Sequence, residues 1–389
     1  MKRKLPWIYP VFLLLLLFPA YAWLFDGAFT LQGVSEGPAA VAVSAESLLS
    51  GETQQQAEAA YAAAMPGRNL LIRLRNQSMF TLLHTAPNGN QVLSEDGHLF
   101  AKEYLQNYYN AYPPMTEEEM RALVDRLESL QALLREDFRD LYIFITPSKA
   151  RYVDPPAAWQ WMIGARAGTT ASPGSDYDLF LRCTEGTSLK IYDSIRYIDK
   201  HRDDFDFPLF YRSGIHWSNA LGNTVAADFI KWLARKSSRD LNTYKVTMEP
   251  AEEPKHPDSD LMDTLNLFFK PAEEYVKPKI RTKSRSADQP SVFLRGGSFM
   301  GQSLSMLIRK QAFGADVHFE NNYILSGRYT SEKFISGFTA YDEADLPSLL
   351  SGKEFIILEV NESKFRDMGF GFIEYLLAHP ECLHGPAGA

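Results

Sequence analysis

The sequence predicts an α/β fold: a mainly parallel β-sheet between two layers of helices, three layers in all, carried behind an apolar amino terminus. Three observations predict it. Short continuous apolar runs, above all Leu141-Tyr142-Ile143-Phe144-Ile145-Thr146 closed by Pro147, have the content of strands buried on both faces. Helical periodicities separate these runs, which is the alternation that builds a parallel sheet. The chain has 389 residues, 45% of them hydrophobic, enough for one large core.

The elements follow in order. Lys2, Arg3 and Lys4 precede an uncharged run from Leu5 to Phe25, long enough to span a bilayer as a helix. The basic flank keeps its own end in the cytoplasm and sends the remainder out, so residues 1–25 read as a signal anchor. The small-x-small form of Ala20-Tyr21-Ala22 makes a cleaved signal peptide the rival reading. Both readings place residues 30–389 outside the cytoplasm, in the periplasm or secreted. Residues 26–65, rich in Ala, Gly, Ser, Gln and Glu, read as a tether with a helix near Glu52–Ala64. A single domain then occupies 66–389.

Turn signals stand at Pro87-Asn88-Gly89-Asn90 and Asp96-Gly97. Thr116 with Glu119 forms a capping box, Met115 staples to Met120, and Met120, Leu123, Val124, Leu127, Leu130 and Leu134 share one face of the helix that follows. Further strands are expected at Leu189–Tyr192, Ser291–Leu294 and Phe355–Val360. Helices are expected at Ser218–Arg235, Phe299–Phe313 and Phe365–Leu377. The polar, Lys- and Pro-rich stretch Glu249–Gln289 reads as a surface excursion or lid-like loop.

Composition excludes some functions. A net charge of -8 argues against nucleic acid as the main partner, because no net basic charge meets the phosphates. Cys183 and Cys382 allow one disulfide and no disulfide scaffold. His84, His98, His201, His256, His318, His379 and His384 show no metal-ligand spacing, so neither metal nor cofactor is expected.

Two segments could carry chemistry. In Val292-Phe293-Leu294-Arg295-Gly296-Gly297-Ser298-Phe299-Met300-Gly301, a strand runs through two glycines into a serine at the start of a helix. Functional groups in such folds collect beyond the carboxyl ends of the strands, and helix-terminal N–H groups can stabilise an oxyanion. The plain alternative is that Ser298 is an N-cap. In Tyr211-Arg212-Ser213-Gly214-Ile215-His216-Trp217-Ser218, a histidine ends an extended segment before a helix. A serine nucleophile needs such a base.

These segments resemble the alginate O-acetyltransferase family, the AlgJ/AlgX-type proteins with an SGNH-hydrolase-like, flavodoxin-like domain. The resemblance runs as a string of landmarks: Met65-Pro66-Gly67-Arg68, then Ser94-Glu95-Asp96-Gly97-His98-Leu99-Phe100, then Thr146-Pro147-Ser148-Lys149 with Tyr152, then the two segments above. It implies that Ser298 is the nucleophile and His216 the base, with N–H groups near Gly297 and Phe299 holding the oxyanion. It implies extracytoplasmic acetylation of an exported polysaccharide, with a membrane-bound O-acyltransferase as acetyl donor.

Two positions depart from the family pattern. Gly214 stands where the family has its catalytic aspartate, and Gly297 stands where an aspartate precedes its serine. Three readings follow. The site runs as a dyad; or an acid such as Asp193, Asp204 or Asp206 substitutes; or the chain is an inactive polysaccharide-binding or assembly subunit. A carbohydrate acetylesterase is a further alternative, since the same serine chemistry serves water. Tyr211, Trp217, Arg295, Lys149 and Tyr152 are candidates for lining the substrate cleft. For Lys149 the alternative is a solvated lysine, and for Arg295 a surface charge. Glu359 and Glu362 resemble the family's terminal acidic element and read as structural.

Overall fold

The computed structural model describes residues 8–24, 29–33, 41, 43–156, 173–307, 310, 312–313, 317–321, 325–329, 334–338 and 346–383. The chain divides into two compact units, Met1–Leu93 with Leu261–Ala272, and Ser94–Asp260 with Glu273–Ala389. The division falls after Leu93, not at residue 66, and the stretch expected to be an excursion contributes to both units.

The first unit is helical: Ile8–Leu24, Ala45–Ser50, Glu52–Ala64 and Arg68–Leu83. The apolar amino-terminal run is a helix of 17 residues, about 25 Å at 1.5 Å per residue. Among the described residues no helix is long and apolar enough to cross a membrane, so the expected span is not found. Lys2, Arg3 and Lys4 lie outside the described residues. The expected tether holds two helices, the first capped by Ser44. Helix Arg68–Leu83 holds the returning segment: Asn76 donates to the Leu265 carbonyl at 2.8 Å and Arg73 to that of Leu267 at 3.0 Å.

The second unit is the expected three-layer α/β domain. Besides a short strand at Leu99–Ala101, its strands are β1 (Asp140–Thr146), β2 (Ile191–Asp193), β3 (Thr243–Ala251), β4 (Tyr275–Ser284), β5 (Val292–Gly296), β6 (Val317–Asn321), β7 (Leu325–Tyr329), β8 (Phe334–Phe338) and β9 (Phe355–Asn361). Seven form one sheet in the order β8-β7-β6-β5-β9-β1-β2. The five from β6 to β2 pair in parallel, and β7 and β8 extend the edge antiparallel. Strands β3 and β4 form a separate antiparallel ribbon from what was expected to be loop.

Side-chain alternation along β1 builds the two core layers. Tyr142 and Phe144 join Leu294 and Ile357 beneath the helix Asn219–Ser237, which contributes Leu221, Val225 and Phe229. Leu141, Ile143 and Ile145 face the other way, with Phe293, Ile356 and Leu358. There they meet Leu123, Leu127 and Leu130 of the helix Glu117–Glu136, Phe180 of Ser175–Cys183 and Phe372 of Phe372–Ala378. Thr116 and Glu119 exchange the capping-box bonds at 2.8 and 3.2 Å. Both cysteines are free and buried in this second layer.

Two expected helices are shorter. Ser298–Met300 is a 3₁₀ turn leading into the helix Gly301–Leu307, and parts of the remaining stretch to Phe313 lie outside the described residues. Phe365–Gly371 is a 3₁₀ segment broken by left-handed Gly369, Phe370 and Gly371, and the α-helix begins only at Phe372.

Candidate active site

The carboxyl ends of β5, β9 and β1 lie side by side, and the site is assembled on them. Strand β5 ends at Gly296, and Gly297 leads directly into the 3₁₀ turn that presents Ser298. Gly296 has no room for a side chain: a β-carbon there would stand 2.6 Å from Cβ of Glu359 on β9. The small residue lets β5 and β9 run parallel while a large carboxyl side chain passes between their ends.

His216 arrives on the segment that closes into the helix Asn219–Ser237. Phe210 and Trp217 pair in a short antiparallel bridge, and Ser218 caps the helix by accepting from the Leu221 N–H at 3.1 Å. Trp217 is fully buried and donates Nε1–H to the Phe299 carbonyl at 2.9 Å. That bond ties the histidine segment to the serine turn. The structure brings the two expected groups together: His216 Nε2 lies 2.8 Å from Ser298 Oγ.

The ring has a carboxylate behind it. His216 Nδ1–H donates to Asp260 Oδ2 at 2.6 Å, while Asp260 Oδ1 accepts the Ile215 N–H at 3.0 Å. This bond fixes the tautomer, leaving Nε2 as the acceptor for the serine hydrogen. None of Asp193, Asp204 or Asp206 is the acid that His216 uses. Asp193 caps the helix Ser194–Lys200 and accepts from Tyr177, and Asp204 pairs with His201.

Gly214 explains why the acid comes from elsewhere. A β-carbon at this position would meet the Asp258 carbonyl oxygen at 2.6 Å. The backbone of the Asp258–Asp260 segment fills the space that a side chain at 214 would need, and brings the carboxyl group of Asp260 to the ring instead.

The loop before His216 is built around Lys149. This lysine is buried, and its Nζ donates to the carbonyls of Leu99, Tyr211 and Gly214, each at 2.7 Å, and to that of Arg212 at 3.3 Å. The Phe100 ring lies 5.2 Å away. Burial pulls its pKa down to about 7. Lys149 is therefore not solvated; it ties the Leu99 carbonyl to those of the turn from Tyr211 to Gly214, and the cavity it borders is only about 10 Å³.

The other cleft candidates are also turned inward. The Tyr211 hydroxyl accepts the Val276 N–H at 2.9 Å. Tyr152 stacks on Phe210 and donates to Asp199 at 3.1 Å. Arg295 is buried and directs its guanidinium to the carbonyls of Gly369 and Phe370, both at 3.4 Å. Neither a surface charge nor a free cation for an acidic sugar stands at that position.

Gly297 differs from expectation as well. Its N–H donates to Glu359 Oε2 at 2.6 Å, so it is not an available oxyanion donor. Glu359 is fully buried, and its other oxygen takes a hydrogen bond from the Thr146 hydroxyl. Burial raises its pKa to about 7. Glu362 is buried too, paired with Arg151 and accepting the Ser148 N–H at 2.7 Å. The N–H groups of Ser298 and Phe299 open the 3₁₀ turn, where no earlier carbonyl of the helix can accept them.

Beside the serine is a cavity of about 290 Å³, lined by Tyr104, Gly297, Phe299, Glu359, Asn361 and Phe370 among others. Tyr104 comes from the helix Lys102–Tyr108 and lines this cavity, its ring centroid 5.6 Å from that of Phe299. Nothing in the sequence around Tyr104 marks it as part of the site. Among the described residues no group of His, Cys, Asp and Glu could hold a metal ion.

No family model and no curated protein matches the sequence. Among solved structures, the chain is similar to the O-acetyltransferase domain of Pseudomonas putida AlgJ, at 17% identity and a TM-score of 0.44, covering 71% of this chain and 92% of that one. It is similar to Bacillus cereus PatB1 at 9% identity and 0.43, covering 71% and 97%. It is similar to Pseudomonas aeruginosa AlgX at 11% and 0.39, covering 78% and 69%. AlgJ and AlgX are the proteins whose type the sequence motifs resemble. At these identities and scores, none of the three bears on the chemistry of this site.

Proposed function

We propose that this chain is an O-acetyltransferase that carries an acetyl group on Ser298 and hands it to a sugar hydroxyl. The supporting observation is the unbroken relay from Asp260 through His216 to Ser298, with contacts of 2.6 and 2.8 Å, beside a cavity of about 290 Å³. Such a relay removes the serine proton as the oxygen attacks, which a lone serine at neutral pH cannot do for itself.

The reaction has two halves. Ser298 Oγ attacks the acetyl carbonyl carbon, its proton passes to His216 Nε2, and the carbonyl electron pair moves onto oxygen. The N–H groups of Ser298 and Phe299 supply donors for that charge. Collapse expels the donor's leaving group, which takes the proton from His216, and acetyl-Ser298 remains. A sugar hydroxyl then attacks the acyl-enzyme and gives its proton to His216. The second collapse returns that proton to Oγ and releases the acetylated sugar. Throughout, Asp260 stabilises the imidazolium and holds the ring in place.

The partners come from the motif resemblance: an exported polysaccharide as acceptor and a membrane-bound O-acyltransferase as acetyl donor. An extracytoplasmic location, tethered to the membrane or secreted, is supported by Lys2, Arg3 and Lys4 ahead of the apolar run. The inactive-subunit reading rested on the missing acid at Gly214, and the Asp260 carboxylate 2.6 Å from the His216 ring favours the active reading over it.

The test is acyl-enzyme trapping. The full-length protein is mixed with p-nitrophenyl acetate and examined by intact mass. One acetyl group should appear on wild type and none on Ser298→Ala. Added oligosaccharide should receive the acetyl group; release of acetate alone would make the chain an esterase. Wild type that gives neither adduct nor turnover removes the proposal.

A further inference from the structure

We infer that Glu359 is a positioning residue for the nucleophile: its side chain clamps the Gly297 N–H and so fixes the turn that aims Ser298 Oγ at His216. This rests on the serine reading above and gives a task to a buried carboxyl group that the relay leaves unused.

The first ground is the freedom that has to be removed. Gly296 and Gly297 stand immediately before Ser298, and without β-carbons their backbone has a wide choice of conformation. Oγ nevertheless lies 2.8 Å from His216 Nε2, which requires one defined arrangement of the turn. After the serine, the Phe299 carbonyl is held by Trp217 Nε1–H at 2.9 Å. Before it, Gly297 is held at both of its polar atoms. Its carbonyl accepts the Met300 N–H at 3.3 Å, and its N–H donates to Glu359 Oε2 at 2.6 Å. The nucleophile is thus tied on either flank, and the tie on its amino side comes from β9.

The second ground is how the side chain is aimed. Leu358 pairs with Arg295 in the register of β9 on β5, which brings Glu359 beside Gly296. A β-carbon on Gly296 would stand 2.8 Å from Glu359 Oε2, so the carboxyl group lies across the bare glycine to reach the next peptide. Its other oxygen is fixed by the Thr146 hydroxyl at the end of β1. Burying a carboxyl group this deeply is costly without partners, and here both oxygens are engaged.

The clamp needs an acceptor at one place and does not need a charge. Glutamine keeps an oxygen for the Gly297 N–H and turns its NH₂ to the Thr146 hydroxyl, whose lone pairs can accept it. Aspartate keeps the charge but is one methylene too short to reach Gly297. The two conservative variants therefore separate reach from charge, and a residue that acted by its charge would rank them the other way.

The experiment measures p-nitrophenyl acetate turnover in the full-length protein, with rates referred to the acetyl-serine counted by intact mass. Glu359→Asp should lower kcat by about 10²-fold, the usual cost of misplacing a reacting group by about 1 Å, with KM little changed. Glu359→Gln should lose less than about tenfold. A Glu359→Asp enzyme as fast as Glu359→Gln or faster overturns the inference, and so do wild-type rates in both, which a merely structural carboxyl group would give. Gly296→Ala covers the case in which Glu359→Asp does not fold: its β-carbon displaces the intact carboxyl group, and wild-type kcat there also overturns the inference. Ser298→Ala is run beside them. Full activity in that variant would sink the serine reading and this inference with it, whereas its inactivity beside a fully active Glu359→Asp would sink this inference alone.

Discussion

At the scale of single residues, Ser298 and His216 stood out because each has a local pattern: two glycines between strand and helix for one, a His-Trp pair before a helix cap for the other. Asp260 has no such pattern. It lies 44 residues beyond its histidine in a polar stretch, and only the folded backbone brings them together. Tyr211, Trp217, Tyr152, Lys149 and Arg295 belong to the right segments, but their side chains serve the core and the loop backbone, since a sequence does not say which way a side chain points. Two acids on either side of Ser259 now separate by role. Asp260→Asn leaves the ring with a neutral partner that tolerates the wrong tautomer, and kcat should fall by about 10⁴-fold as in comparable relays. Asp258 accepts the Asn219 N–H at 2.8 Å and burial raises it to about 6; Asp258→Asn should leave kcat close to wild type. Steady-state rates of acetyl ester turnover in both variants check this.

At the scale of elements, the order of strands and helices in the sheet was readable because apolar runs and helical periodicity repeat from β1 to β9. The ribbon of β3 and β4 was not, because its lysines and prolines mask the alternation that pairs Tyr244 to Ala251 with Tyr275 to Thr282. The decisive local element is the turn from Tyr211 to His216, wrapped around Lys149 and pressed against the backbone at Asp258. Replacing Gly214 by the aspartate of the resembled family looks like a repair, yet its β-carbon would meet the Asp258 carbonyl at 2.6 Å. Gly214→Asp should therefore lower kcat/KM by pushing Ile215 and His216 off Asp260, and Gly214→Ala should do the same. Acyl-adduct formation measured against time separates both from wild type. Gain of activity in Gly214→Asp would show that the turn yields.

At the scale of the whole molecule, burial on both faces of the sheet explains why most residues of β1, β5 and β9 are apolar, and among the polar exceptions it sets apart the carboxyl group of Glu359. It sits fully buried at the end of β9, joined to Thr146 on β1 and to Gly297 after β5, and so links three strand ends at once. Its proton is held more tightly in the folded chain, at about 7, than at the ordinary 4.5. Between those values the native state binds more protons than the unfolded one, so this carboxyl makes stability fall as pH rises through the window. Glu359→Gln abolishes that component: the loss of urea midpoint from about pH 5 to about pH 8 should shrink in the variant. An equal loss in both proteins would mean that another group carries the pH dependence.

The separation of the acid from its histidine has a consequence beyond this one chain. A pattern search that demands an acid two places ahead of the histidine would file such a sequence among the pseudoenzymes, because it inspects a neighbourhood in the text instead of one in space. Chains with glycine there and an Asp-Ser-Asp some forty residues later should be assayed for turnover before they are classed as dead copies. Base and acid on separate segments can also be exchanged independently during divergence, so the pair has two routes by which it can be lost and two by which it can be regained.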